Sequence, residues 1–191
     1  MAYRFSLAAV AFGVLVAGVT VPDAVAHHSF PALRTADGED VIDVLEGSVR
    51  VYRLLNPHGA LIIDSTDDTG ATEGWLIELS PASQLLREGW TEDLLSGGDR
   101  VTVALVRSST PNRGRIRAIL IHGKTDEEAA RLLVSYGIRG DTPVMRRLRE
   151  RLPTCGIIDA SYQRTECFQI DAQALQALEA EFPGPMGYVM P

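Results

Sequence analysis

At 191 residues the chain has room for one compact domain, alone or with an extension. Its 25 acidic residues outnumber 18 basic ones, a net charge of −7 that excludes the electropositive footprint of a nucleic-acid binder. The same imbalance argues against a protein built to lie on anionic lipid.

The first segment reads as a secretory signal peptide. Arg4 supplies a positive start, Ser6 to Val21 form an uncharged apolar run, and Pro22-Asp23 break it. Ala24-Val25-Ala26 then gives the small-x-small pattern that a signal peptidase needs. A retained anchor is the competing reading, but the run falls short of the roughly 20 residues of a spanning helix. Residues 1–26 are therefore expected to be removed, which leaves a periplasmic or secreted product with no stable membrane insertion and His27 as its first residue.

Strand patterns follow. "DVIDVLEGSVRVYRLLN" alternates around Val41, Val49 and Val51, with Gly47 placed for a bend or bulge. Asn56-Pro57-His58-Gly59 is a turn by composition, "ALIIDSTDD" a second strand, and Asp67-Asp68-Thr69-Gly70 a second turn. "GWLIEL" is a third strand, with Trp75 and Ile77 on one face and Leu76 and Glu78 on the other. Ser80 suits an N-cap, Pro81 the first helical position and Gly89 the left-handed residue after the last turn. A two-turn helix over 81–88 is expected, with Leu85 and Leu86 inward. "RVTVALVR" resumes the strand period with Val101, Val103 and Leu105 on one face, and "GRIRAILIHGK" does so with Ile116, Ala118 and Leu120.

Three strands, a short helix and two strands is the order of the five-stranded OB-fold, a small, partly open barrel. The fold expected for 27–124 is thus mainly β, an OB-like barrel, with a generic β-sandwich as the alternative. Residues 125–191 read as a helical extension. Thr125-Asp126-Glu127-Glu128 forms a capping box ahead of an apolar stripe of Ala129, Leu132, Leu133 and Tyr136, ending at Gly137. Thr142-Pro143 opens a second helix, and Ile170, Asp171 and Leu175 fit a staple around the N-cap of a third. The closing "PGPMGYVMP" is turn-like and expected to be loosely held. The basic run Arg146 to Arg151 reads as a solvated helix face. Cys155 and Cys167, an even pair in an oxidising compartment, are expected to form a local disulfide.

Several segments together resemble a family of short exported bacterial proteins, classed as a domain of unknown function, whose mature chains start His-His-Ser-Phe. The matching residues are "AHHSF" at 26–30, "NPHG" at 56–59, Trp75 with Glu78, "SPASQLLREGW" at 80–90 and "GGDRVTV" at 97–103. The resemblance covers roughly residues 26–124 and implies an exported β-rich fold without an assigned activity. Residues 125–191 lie outside it. The family usually has an aromatic residue shortly before Asn-Pro-His, where this chain has Leu54 and Leu55.

Candidate chemistry centres on four histidines. A processed N-terminal His27 can chelate through its α-amine and ring. A second imidazole completes a T-shaped nitrogen set suited to Cu(II). His58 is the candidate for that second ring, His28 can substitute for His27, and His122 is the weakest candidate. Against this stand a mobile N-terminal pair binding metal adventitiously and a His58 that merely caps its turn. Trp75 and Glu78 are the other candidates: a strand Trp at a barrel mouth can stack a sugar, though such a Trp more often fills the core. No Ser-His-Asp, phosphate-loop or metalloprotease pattern is present. The leading reading is an exported, non-catalytic binding or accessory protein whose partner is a small molecule, a glycan or another protein. The alternative is a copper protein, either carrier or oxidative enzyme.

Overall fold

A computed structural model describes residues 30–125, 128–134, 142–157 and 166–190. Its first five strands form the expected barrel. Strand β1 (Ile42–Arg53) pairs antiparallel with both β2 (Ala60–Thr66) and β4 (Arg100–Arg107), and β2 pairs with β3 (Thr72–Glu78). Strand β5 (Arg113–Ile121) runs antiparallel to β4 and closes the ring by a parallel pairing with β3, Leu76↔Arg113 through Glu78↔Arg115. Closure spans three residue pairs, so the later part of β5 keeps an edge on that side. Alternate residues line the interior, among them Leu61, Ile63, Ile77, Val101, Val103 and Leu105, and Leu85 and Trp90 plug it.

At Gly47 the β1 backbone lies close against β2, and a Cβ there would run into the carbonyl oxygen of Asp64. The break in β1–β2 register comes two residues later, between Val49 and Val51. A second irregularity redirects β5. The ladder with β4 passes from Ala104↔Ala118 to Leu105↔Ile116, leaving Arg117 as an extra residue. Ile116 consequently faces the barrel interior whereas Ala118 and Leu120 face a second core, so these three do not share one face as the alternation predicts.

The helix expected over 81–88 is shorter. Helix α1 spans Ala82–Leu85, and Pro81, not Ser80, holds the cap position. The turn between β1 and β2 satisfies its first N–H groups: Ala82 donates to the Leu55 carbonyl and Ser83 to the Asn56 side chain. Gly89 is left-handed at φ 78°, and Trp90 N–H closes back on the Leu85 carbonyl, a Schellman-type ending. Leu85 is buried, but Leu86 is exposed.

Beyond residue 124 the expected first helix is a strand. Strand β6 (Ala130–Val134) pairs with β5 and with β8 (Glu166–Ile170), which in turn pairs with β7 (Thr154–Ile157). The open edge of β5 offers unpaired backbone groups. Ala130, Leu132 and Val134 bury on one face and Leu133 on the other, so tertiary pairing overrides the helical stripe. Asp126, Glu127, Tyr136 and Gly137 lie outside the described residues.

The other two helices form as read. In α2 (Pro143–Arg151), the Thr142 side chain accepts from Met145 N–H; in α3 (Ala172–Glu181), Asp171 accepts from Ala174 N–H. Both cover the outer face of β4–β5–β6–β8 around Leu120, Leu132, Phe168 and Leu148. The C-terminal stretch is not loose: Met186, Tyr188 and Val189 are buried in this second core. Nor is the basic run a free solvated face. Arg149 pairs with Glu166, Arg151 with Glu181, and Arg147 stacks 4.0 Å from the Phe182 ring centroid while donating to the Tyr188 carbonyl. These arginines tie α2 to β8, α3 and the tail. Cys155 and Cys167 form the expected disulfide across β7–β8, with their Cα atoms 5.3 Å apart. No helix among the described residues is long and apolar enough to cross a membrane.

Candidate functional site

Strand register alone assembles a polar cluster at the seam that closes the barrel. Ala60 pairs with Glu78, and Glu78 pairs in turn with Arg115. His58 precedes Ala60 by two residues, at the end of the β1–β2 turn, whose Asn56–Pro57 bond is cis. Its Nδ1 stands 3.4 Å from Glu78 Oε1. Arg115 donates to the same oxygen through Nη2 at 2.9 Å and Nε at 3.2 Å. All three are partly buried, with side-chain exposures of 22% for Arg115, 31% for Glu78 and 37% for His58.

The Arg115 guanidinium carbon also lies 4.4 Å from the centroid of the Phe30 ring, a cation–π contact. Backbone bonds fix that segment along the end of β4: Leu33 N–H donates to the Arg107 carbonyl, and Ser109 N–H to the Pro31 carbonyl. Between Phe30, Glu78, Ser108, Thr110 and Arg113 lies a cleft of about 90 Å³. Phe30, His58 and Glu78 come from three separate stretches of sequence, and the fold brings them to one place.

The sequence candidates separate as follows. His58 and Glu78 meet directly. His27 and His28 lie outside the described residues. Trp75 belongs to a different cluster: its ring is half-buried against the barrel core, with the Arg107 guanidinium 5.7 Å from its centroid and Arg107 itself paired with Asp43. A side chain of the protein thus already stands over that indole, and Trp75 and Glu78 do not act as a pair. His122 is held elsewhere, with Nε2 2.8 Å from the Thr102 hydroxyl. Its burial, and then the neighbouring Arg100, keep its pKa below the ordinary histidine value. Among the described residues no three metal-ligating side chains cluster.

Arg115 and Phe30 are members of the cluster that the reading of single residues did not single out. For Arg115 the available signal was its alternation with Gly114 and Ile116, which places Arg113 and Arg115 on the face turned away from the apolar interior.

Carboxylate–imidazole geometry has a definite chemical consequence. Were His58 Nδ1 to donate to this carboxylate, Nε2 would be the ring nitrogen left with a lone pair. Arg115 restrains the carboxylate that His58 Nδ1 faces. Such an arrangement presents one oriented nitrogen donor to a metal or to an acidic hydrogen.

No curated protein and no solved structure matches the chain. Residues 14–117 match the model of a family of unknown function, DUF6152, a span that holds Phe30, His58, Glu78 and Arg115 and exceeds half the chain. The chain belongs to that family, and the seam cluster lies wholly within the part that defines membership.

Proposed function

We propose that this is an exported binding protein whose ligand is a Cu(II) ion, held by His58 together with the α-amine and ring of His27 once export has trimmed the chain after Ala26. One observation carries the reading: Glu78 Oε1 stands 3.4 Å from His58 Nδ1, within reach of the second-sphere carboxylate contact that metal-binding histidines characteristically make. Position supports it further. Phe30 packs on Arg115, one side chain removed from His58, and His27 is only three residues before Phe30. Three peptide units reach about 10 Å, enough for an N-terminal amine to approach the seam. Three nitrogen donors in a plane match the preference of Cu(II). His28 is the substitute donor if His27 is not the leading residue. The role is accessory, storing or passing on the ion, and needs no reaction at the site.

Intact-mass analysis of the exported protein tests the first requirement, a chain beginning at His27. A Cu(II) titration then tests the second. Glu78→Gln should weaken binding by about 10–100-fold, the usual effect of removing an outer-sphere partner, and His58→Ala by more. Equal affinities in all three proteins would leave a binding module whose ligand at the seam is not a metal.

A further inference from the structure

Away from the seam, two hollows adjoin along a shared wall formed by Arg100 and His122. One, of about 350 Å³, opens between β1, β2 and β4 and is edged by Glu46 and Asp64. The other, of about 280 Å³, is floored by Ala130, Ile170 and Leu175, with Glu128, whose carboxylate accepts from Lys124 N–H, also in its lining. The larger alone falls within the size range of small-molecule sites, and the smaller lies just beyond Arg100 and His122. The apolar half exists only because β6, β8 and α3 follow the barrel.

The polar groups differ in what they leave unsatisfied. Asp64 is already paired with Arg50. Glu46 and Arg100 have no ion-pair or side-chain hydrogen-bond partner among the described residues. His122 is anchored by Thr102, and a depressed pKa keeps the ring neutral at pH 7, able to share a hydrogen bond without adding charge. A simple anion would suit Arg100 but meet Glu46, and a simple cation would suit Glu46 but meet Arg100. A neutral molecule would cover both charges without pairing either, at a desolvation cost. A ligand carrying both signs answers both groups.

We propose that this groove binds a small zwitterion with an apolar side group, of the α-amino-acid class: carboxylate on Arg100, ammonium on Glu46, side group over Ala130, Ile170 and Leu175. The site is separate from His58 and does not depend on copper.

The test uses the exported full-length chain with L-leucine as probe, followed by calorimetry and by the His122 ring resonances. Saturable binding that shifts the His122 signals is expected. Glycine should bind about tenfold or more weakly, for want of the side group's apolar contacts. Acetate and isopentylamine, each with one charge only, should also fall at least about tenfold short, as charged hydrogen bonds are lost. Arg100→Gln and Glu46→Gln should each cost about 10–100-fold for leucine while leaving the unliganded fold intact, since both side chains are exposed. Leucine that leaves His122 unmoved, acetate that binds as well as leucine, or either variant binding like wild type would overturn the proposal.

Discussion

Glu78 accepts two hydrogen bonds from Arg115 on the same oxygen that faces His58 Nδ1, so the arginine and the imidazole share one carboxylate. The arginine hydrogen-bonds that oxygen, whereas the imidazole stands farther off at 3.4 Å. Removing the carboxylate therefore affects stability and His58 orientation together. Glu78→Gln is expected to lower unfolding free energy by about 1 kcal/mol, since the pair is only partly buried. Arg115→Lys, which keeps the charge but loses the forked geometry and the stacking on Phe30, should loosen His58 without abolishing the barrel. Urea melts and His58 ring resonances of both variants check this; an Arg115→Lys protein with an unaltered His58 signal would contradict it.

His122 makes stability depend on pH in a definite direction. Burial, then Arg100, hold its pKa in the folded chain below that of the unfolded chain, about 6.5. Above that pH both states are neutral and the residue contributes no slope. Below it the unfolded chain takes a proton that the folded chain declines, so stability falls as pH drops until the folded ring is protonated. The loss between about pH 7.5 and 5.5 should be smaller in His122→Gln than in wild type. Denaturant midpoints at the two pH values measure it, and identical losses would refute the assignment.

The Tyr188 hydroxyl is buried in the second core with no hydrogen-bond partner among the described residues. Burial, then Glu179, raise its pKa, so it stays protonated. Tyr188→Phe deletes an unsatisfied polar atom and keeps the ring. Stability should be unchanged or rise by about 1 kcal/mol. A loss of that size in thermal melts would mean that the hydroxyl has a partner.

Much of the barrel was legible because each of its strands carries its own period. Val101, Val103 and Leu105 alternate cleanly, and Gly89 marks the end of a helical turn whatever its length. Strand β6 was not legible. Thr125 to Gly137 carries helical spacing, and only the open edge of β5, invisible in the local sequence, turns Ala130–Val134 into a strand. The C-terminal stretch is turn-like, as its Gly and Pro suggest, with a 3₁₀ turn at Gly187–Val189, but it is not loose, because the second core buries Met186, Tyr188 and Val189. His58 was visible as a candidate, whereas its contact with Glu78 depends on the β2–β3 register and the β3–β5 closure, which no local pattern records.

Gly47 gives a packing test of the barrel. Its backbone lies against the Asp64 carbonyl on β2, leaving no room for a methyl group. Gly47→Ala should force β1 and β2 apart and cost about 2 kcal/mol, in the range of overpacking changes. A matched Gly97→Ala, where nothing lies within contact distance, should leave the midpoint nearly unchanged. Equal melts for the two variants would rule out the close β1–β2 approach.

The most direct test of the copper reading is the electron paramagnetic resonance spectrum of the exported protein loaded with one Cu(II), compared with that of His58→Ala. An axial signal with coupling to three nitrogens is expected in the wild type and to two in the variant. Identical spectra would place the ion elsewhere and remove His58 from its coordination.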